Sequence, residues 1–210
     1  TWIEQHSKTV ASQLHRNFEL IYKLNLWKGE ETISASGHGS EKAVNVAFVQ
    51  FLNNLITNYS LTSVVDVGSG DWSYMKQVSI PHYTGYDVSQ YIVEQTTRKY
   101  TSKNVSFHLS TTNQVYPGAD LLICKDVLQH LPYEEVHHIL KQSMKYRVAV
   151  IVNDVAHTEN KDIRAGSYRS LDVQKKPFNV KCDLLLLLHP LTQGKGGLKT
   201  TCVLINDKEL

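Results

Sequence analysis

The stretch 64–73 constrains this chain most, because an apolar β-branched run there passes into an acid and two glycines. Asp66 stands near the end of the run, and Gly68 and Gly70 follow it. Glycine lacks Cβ, so the backbone can turn sharply at these positions and approach a ligand closely. The pattern predicts a strand, a tight turn and a helix that begins near Asp71, whose free N–H groups would face a polar ligand.

A second acid follows at the spacing expected for the neighbouring strand. Residues 83–87 have the pattern of a short strand that ends in Asp87. A carboxylate at a strand end can accept hydrogen bonds from both ribose hydroxyls, which favours a nucleoside site. The alternative is a turn residue before a helix whose N-cap is Ser89. NAD-binding units use the same acid, but their G-x-G-x-x-G/A pattern requires glycine or alanine where Ser73 stands.

These two acids and the glycines between them resemble the first two motifs of the class I S-adenosylmethionine (SAM)-dependent methyltransferases. The segment 126–132 (Asp-Val-Leu-Gln-His-Leu-Pro), after the apolar run 119–125, resembles the motif that follows strand four of this family. The resemblance covers residues 34–205. It implies an α/β, Rossmann-like fold: a seven-stranded, mostly parallel sheet with an antiparallel last strand, helices on both faces and extra N-terminal helices.

Hydrophobic periodicity predicts five helices and seven strands. The helices are expected over 2–24, 40–58 (with Ser40 as N-cap), 71–78, 89–100 and 132–144. The strands are expected over 63–67, 82–87, 105–109, 119–125, 147–152, 180–188 and 201–205. The last two strands would form a terminal hairpin, whereas an NAD-type unit would continue the alternation of strands and helices.

Length and composition predict one domain. A chain of 210 residues with 41% hydrophobic residues suits a single methyltransferase domain over 1–210. Within it we expect N-terminal helices and a lid over 1–60, a SAM-binding core over 61–210 and an acceptor loop over 155–179.

Net charge and cysteine content limit the possible binding partners and the possible cellular compartment. A net charge of +2 is too small to indicate a nucleic-acid or membrane surface, and no apolar run reaches membrane-spanning length. Three cysteines without close spacing argue against a disulfide framework or zinc site. They predict a reducing, cytoplasmic compartment, with Cys124 and Cys202 as core residues.

At a finer level the chain is similar to the C-terminal methyltransferase domain of the multi-domain glycosyltransferases of large algal (chlorella) viruses. The length, the start at Thr1 and the Gly-Asp-Trp-Ser variant at 70–73 carry this resemblance. It implies O-methylation of a sugar hydroxyl, such as that of the deoxyhexose rhamnose in a glycan. It also implies further domains in a longer polypeptide and a location in the host cytoplasm.

The class-level resemblance implies SAM as the cofactor, bound at the carboxyl ends of the strands. The residues expected there are Ser36, Gly37, Asp66, Gly68, Ser69, Gly70, Trp72, Asp87, Val88, Ser110, Thr111, Lys125 and Asp126. The first two belong to a small-residue loop, 33–40, which is a lid or, alternatively, a flexible linker. Many family members carry an acid after strand three for the adenine amine. Residues 110–113 are Ser-Thr-Thr-Asn, so hydroxyls or the amide would replace that acid.

Methyl transfer to an alcohol requires alignment of the reactants and a base or metal. The candidate catalytic residues are Asp126, His130, Asp154 and His157. Asp126 directly follows strand four, and the alternative for His130 is packing under the following helix. The expected substrate contacts are Trp27, Tyr168 and Arg169. The Asn-Pro-Pro-Tyr signature of nucleic-acid N-methyltransferases is missing after strand four, which favours an oxygen acceptor.

Alternatives remain for the metal and for the reaction. Asp126, Asn153 and Asp154 resemble the magnesium site of catechol-type O-methyltransferases, a hypothesis that we do not favour. The metal is therefore unknown. The basic and aromatic residues of 158–179 would suit a nucleic-acid patch, but a solvated loop is favoured. The leading hypothesis is an O-methyltransferase acting on a glycan or other small-molecule hydroxyl. The alternatives are RNA as acceptor, an NAD-type oxidoreductase, and a non-catalytic domain that binds the nucleoside cofactor.

Overall fold

A seven-stranded sheet carries the fold. The computed structural model describes residues 15–28, 34–40, 45–155, 159–188 and 199–206. The strands lie in the order β3-β2-β1-β4-β5-β7-β6. Their bounds are β1 Ser63–Val67, β2 His82–Asp87, β3 Val105–Leu109, β4 Leu121–Lys125, β5 Val148–Asp154, β6 Leu184–Leu188 and β7 Lys199–Ile205. Strands β1 to β5 are parallel, and β7 runs antiparallel between β5 and β6. The predicted Rossmann-like sheet is confirmed.

The described residues include four α-helices, named α1 over 15–23, α2 Val46–Asn58, α3 Gln90–Tyr100 and α4 Tyr133–Ser143. Helix α3 has the predicted cap, because the Ser89 hydroxyl oxygen accepts a hydrogen bond from Ile92 N at 3.4 Å. The predicted cap of α2 is wrong. Asn45 occupies the N-cap position, and Ser40 ends a short 3-10 turn instead. The Ser40 carbonyl accepts a bond from the hydroxyl of Ser73 at 2.6 Å, which draws it towards the glycine turn.

Helices cover both faces of the sheet, as predicted. Successive strand residues point to opposite faces. Val65 and Leu122 therefore pack with α1 and α4, while Val64 and Ile123 pack with α2. Strands β4 and β5 are buried at every position. Their continuous apolar runs are those of central strands that are covered on both sides.

The predicted helix over 71–78 is wrong. That segment forms turns and one 3-10 turn, Met75–Gln77. Trp72 has a φ of +58°, which is incompatible with a right-handed helix, and its indole packs against Tyr83, Tyr100 and Phe107 at 5.0 to 5.6 Å between ring centroids. Packing of this large, partly buried side chain against the three rings therefore fixes the backbone after the glycine turn. A ligand there meets turn N–H groups rather than a helix N-terminus.

The prediction that the cysteines form no disulfide is also wrong. Cys182 and Cys202 form a disulfide, and Cys124 is free and buried. The pairing of β6 with β7 brings the two chain segments together, although 20 residues separate the cysteines in sequence. The argument for a reducing compartment thus loses its basis, and the cytoplasmic location stays a prediction. Within the described ranges, no helix combines the length and apolar character needed to cross a bilayer.

Candidate active site

A cavity of about 430 Å³ opens at the carboxyl edge of the sheet, within the size range of small-molecule sites. The glycine turn after β1, the ends of β2, β3 and β4, helix α1 and the loop 34–40 surround it. Of the predicted site residues, the structure brings twelve to its wall: Trp27, Ser36, Gly37, Gly68, Asp87, Val88, Ser110, Thr111, Lys125, Asp126, His130 and Tyr168.

The loop 34–40 is fastened to the glycine turn. Asp71 accepts hydrogen bonds from Ser34 Oγ and Ala35 N at 2.8 Å each, and its own N–H donates to Ser36 Oγ at 3.0 Å. The loop is therefore a packed cover and not a free linker. Gly68 has a φ of +74°, and any Cβ there would collide with Val127, so this turn requires glycine.

Asp87 lies at the end of β2 and faces the cavity while almost fully buried. Its two carboxylate oxygens accept hydrogen bonds from Gly70 N and Ser89 N, each at 3.0 Å. Burial raises the pKa of Asp87 to about 6, and the backbone N–H bonds oppose that rise. Each oxygen can accept a further bond. This carboxylate can therefore receive hydroxyl donors from a ligand.

Asp66 supports the turn from below instead of lining the cavity. It accepts a 2.6 Å hydrogen bond from the Tyr83 hydroxyl, and burial raises its pKa to about 7. The other predicted cofactor residues outside the cavity wall are Ser69, Gly70 and Trp72. Gly70 contributes its N–H to Asp87, whereas Trp72 is partly buried and packs against the core.

Asp126 forms the centre of a charged cluster at the end of β4. Its Oδ2 accepts bonds from Lys125 Nζ at 2.7 Å and Lys199 Nζ at 2.6 Å. Burial acts to raise the pKa of Asp126, but the two lysine charges outweigh burial and lower it to about 2. Burial lowers the pKa of Lys125, whose ammonium also donates to the Gly39 carbonyl at 2.8 Å. A carboxylate with so low a pKa is a weak base.

His130 has the properties that a general base requires. Its Nδ1 lies 2.9 Å from the Ser167 carbonyl, which can only accept, so Nδ1 carries the proton. Burial lowers the pKa of His130, so the neutral ring predominates at pH 7 and its Nε2 is unprotonated. The rings of Trp27 and Tyr168 lie 5.0 and 5.7 Å away, centroid to centroid. These three side chains line one end of the cavity.

Two predicted residues, Asp154 and Arg169, lie outside the cavity wall and bond to residues at or near it. Asp154 accepts bonds from Tyr168 OH at 2.8 Å and Ser170 Oγ at 2.9 Å, so its oxygens are engaged. Arg169 is buried and donates to the carbonyls of Leu128 and Leu131. Arg169 therefore holds the segment 128–131 in this structure, and its substrate contact stays a prediction. His157 lies outside the described residues.

Several wall residues were missed by the sequence reasoning. Phe18 and Tyr22 come from α1, Tyr116 follows β3, Glu135 belongs to α4 and Lys199 begins β7. Burial raises the pKa of the Glu135 carboxyl, which lines the cavity together with Ser110 and Tyr116. The available sequence signal for Glu135 was its position in the first turn of the helix that follows the segment 126–132. Lys199 gave no sequence signal.

The oxygen ligands of the magnesium hypothesis do not converge. Asp126 is engaged by two lysines, Asp154 by Tyr168 and Ser170, and Asn153 does not line the cavity. Among the described residues, no group of three or more His, Cys, Asp or Glu side chains is placed to share a metal ion. The residues present therefore do not fit the metal-assisted alternative.

The structure is similar to solved structures of SAM-dependent methyltransferases. A SAM-dependent methyltransferase of the DUF858 family from Leishmania major superposes with a TM-score of 0.70 at 12% identity, over 92% of this chain and 82% of that chain. Magnesium protoporphyrin IX methyltransferase from Synechocystis, solved with bound SAH (S-adenosylhomocysteine), gives 0.58 at 13% identity, over 94% and 97%. The methyltransferase domain of a bacterial Hen1 gives 0.55 at 14%, over 76% and 98%.

These identities establish the fold and not the substrate. No protein-family model matches the sequence, and no curated protein matches it either. The finer resemblance to the algal-virus domain therefore receives no support from the comparisons, and its sugar acceptor stays a prediction.

Proposed function

We propose that this protein is a SAM-dependent O-methyltransferase that methylates a sugar hydroxyl, such as that of a deoxyhexose in a glycan. One observation carries the proposal: a nucleoside-type carboxylate, Asp87, and a neutral histidine, His130, line the same cavity above a glycine turn. The class I methyltransferase fold supports it. The antiparallel β7 counts against the NAD-type alternative, whose parallel sheet continues by further strand–helix units.

The cofactor would lie along the strand ends. Asp87 would accept the ribose hydroxyls, as carboxylates at this place in such sheets do. The adenine ring of the cofactor would then lie towards β3, where Ser110, Thr111 and Tyr116 line the cavity. Glu135 lines the same part of the wall, and we assign it the place of the acid that the segment after β3 lacks. A carboxylate there can accept a hydrogen bond from the adenine amine.

At the other end, the chain's own residues would activate and orient the acceptor. When bound, SAM supplies a methyl group on a positively charged sulfur, which leaves as a neutral thioether once the methyl carbon bonds to the acceptor oxygen. His130 Nε2 would take the proton that the hydroxyl loses. Asp126 is the weaker candidate base, since two lysines engage it. Asp154 would act through Tyr168, to which it is bonded.

The acceptor end suits a ring with both apolar and hydroxyl faces. The Trp27 and Tyr168 rings flank His130, and the Tyr168 side chain is half-exposed at the cavity mouth. Aromatic faces pack against the C–H groups of sugars, while the histidine reaches a hydroxyl. This arrangement supports the sugar proposal over an RNA acceptor, for which the net charge of +2 offers little attraction.

Calorimetric titration tests the cofactor and turnover tests the reaction. We expect SAH to bind in the micromolar range and NADH not to bind. A protein that binds NADH but does not bind SAH would contradict the proposal. With SAM and methyl rhamnosides, we expect methylated product by mass spectrometry. SAH binding without turnover on any hydroxylated acceptor would favour the non-catalytic alternative.

A further inference from the structure

Gln129 lines the cavity but has no part in the chemistry assigned above. It belongs to a short 3-10 turn after β4, Leu128–His130, and it directly precedes the histidine assigned as the base. The residue is 6% exposed, so its side-chain amide is almost wholly enclosed. Buried amide groups in native proteins nearly always have hydrogen-bond partners. The partners that the protein supplies to this amide therefore show what remains for a ligand.

One half of the amide is bonded to the protein. Gln129 Oε1 accepts a hydrogen bond from Asp154 N at 2.9 Å, at the end of β5. A backbone N–H can only donate, so this bond identifies the oxygen and assigns the NH2 group to the other branch of the amide. Within the described residues this NH2 group has no acceptor, and it is not closed off from the cavity. Its N–H donors therefore remain open to a ligand.

The turn that carries Gln129 is fixed by hydrogen bonds from the loop after β5. Arg169 N donates to the Gln129 carbonyl at 3.1 Å. Gly166 N donates to the His130 carbonyl at 2.9 Å, and the His130 ring is bonded to the Ser167 carbonyl. Because both side chains are anchored, a ligand meets them in a set arrangement. Gln129 presents a donor that cannot accept, and His130 Nε2 presents an acceptor.

The contacts of Gln129 place it at the acceptor end of the cavity. Asp154, which holds its oxygen, accepts a bond from Tyr168 OH at 2.8 Å. The Tyr168 ring lies 5.7 Å from the His130 ring, centroid to centroid. Asp87, which we assign to the ribose, ends β2, and both β1 and β4 lie between β2 and β5. This placement favours the acceptor over the nucleoside as the partner of the amide.

We propose that Gln129 determines acceptor specificity by donating a hydrogen bond to a second oxygen of the acceptor, next to the hydroxyl whose proton His130 takes. The inference rests on the proposed function and adds a requirement to it: the acceptor carries neighbouring oxygens, as a sugar with a vicinal diol does. A site built to donate to a substrate oxygen rejects an analogue without that oxygen, because the donor would then be buried unpaired. Deoxygenation beside the reacting hydroxyl should therefore be poorly tolerated.

The test removes the second oxygen and the donor in turn. The acceptor is methyl rhamnoside, or whichever hydroxylated acceptor the turnover assay identifies. It is compared with the monodeoxy analogues that keep the methylated hydroxyl and lack a neighbouring one. For wild type we expect one analogue to have a kcat/KM roughly ten- to a hundredfold lower, the cost of leaving a buried donor unpaired. Gln129→Met keeps the side-chain length without a donor, and its kcat/KM values for the parent and that analogue should agree within about twofold.

The wild-type rate on that deoxy analogue is the internal control for the fold. Gln129→Met should match this rate and should bind SAH within about twofold of wild type, since the base and the cofactor contacts are unchanged. Gln50→Met is the matched control, because Gln50 is exposed on α2 outside the cavity wall. It should keep the wild-type discrimination between the parent and the analogue.

The outcomes separate this inference from its premise. Wild-type protein that binds no SAH, or that methylates no hydroxylated acceptor, would overturn the proposed function itself. Wild-type protein that methylates every monodeoxy analogue as well as the parent would overturn the inference alone. A Gln129→Met protein that loses rate equally on the parent and the analogue, or that loses SAH affinity, would show a role in the fold or in cofactor binding, which also overturns it.

Discussion

The two strand-end carboxylates that line the cavity have different surroundings, which shift their pKa values in opposite directions. Asp87 is buried without a salt bridge in the described part of the chain, is held by backbone N–H groups and has a pKa raised to about 6. Asp126 is held by two lysines, and its pKa falls to about 2. Position at a strand end therefore does not decide the chemistry of an acid. The neighbouring groups decide it. The backbone N–H groups around Asp87 leave it suited to neutral hydroxyl donors, whereas the two lysines make the surroundings of Asp126 suited to charged groups.

If this division is correct, variants at the two ends should have separable effects. We expect His130→Gln to lower kcat by roughly 100- to 10,000-fold, the range for loss of a general base, while SAH affinity stays within twofold. Because burial lowers the pKa of His130, the wild-type rate should be maintained at pH 7 and fall only below the ordinary histidine range. Rates over pH 5–8 and calorimetry provide the measurements.

His82→Gln is the matched control, since His82 is exposed at the start of β2, away from the cavity. Equal loss of rate in both variants, or loss of SAH binding in His130→Gln, would remove His130 as the base.

The second prediction concerns the stability cost of burying Asp66. Its pKa is raised from an ordinary value near 4 to about 7, so the folded state binds the proton more tightly than the unfolded chain. Stability should therefore fall as pH rises from about 4 to about 7 and then level off. Between pH 5 and pH 8, wild type should lose roughly 2–3 kcal/mol that Asp66→Asn does not lose. Urea unfolding at several pH values measures the difference.

The pKa of Asp126 is shifted in the opposite direction to that of Asp66, so Asp126 provides the control. Its lowered pKa makes its contribution present above about 4, and that contribution is lost as pH falls through about 2. Asp126→Asn should therefore leave the slope between pH 5 and pH 8 unchanged. Parallel curves for wild type and Asp66→Asn would show that Asp66 does not titrate in this range.

The third prediction tests Asp87 as the acceptor of ligand hydroxyls. Asp87→Asn keeps the side-chain volume but removes the charge, and should weaken SAH about tenfold, as expected for one charge-assisted bond. Because the pKa of Asp87 is about 6, wild-type affinity should fall as pH drops through 6, whereas the variant should show no such step. Calorimetry with SAH at pH 5 and pH 7.5 compares them. The same pH profile in both proteins would count against this contact.

The sequence was most informative where function depends on local pattern. The bounds of β1, β2 and β3 matched the prediction, and the acids and glycines that mark the cavity could be read directly. The absence of a helix after Gly70 could not be predicted, because it depends on the packing of Trp72 against the rings of residues that are distant in sequence. Lys199 was equally hidden. It reaches Asp126 only because antiparallel pairing sets it opposite Asp154.

The smallest effect is expected at Glu135. This carboxyl lies in the first turn of α4, is buried, and lines the wall beside Ser110 and Tyr116. If it accepts the adenine amine, Glu135→Gln should weaken SAH three- to tenfold, about the value of one hydrogen bond. S-inosylhomocysteine, which lacks that amine, should bind both proteins alike. Glu134→Gln alters the exposed neighbour and should have no effect. If instead both ligands weakened equally, Glu135 would support the wall and the adenine contact would belong to the hydroxyls after β3.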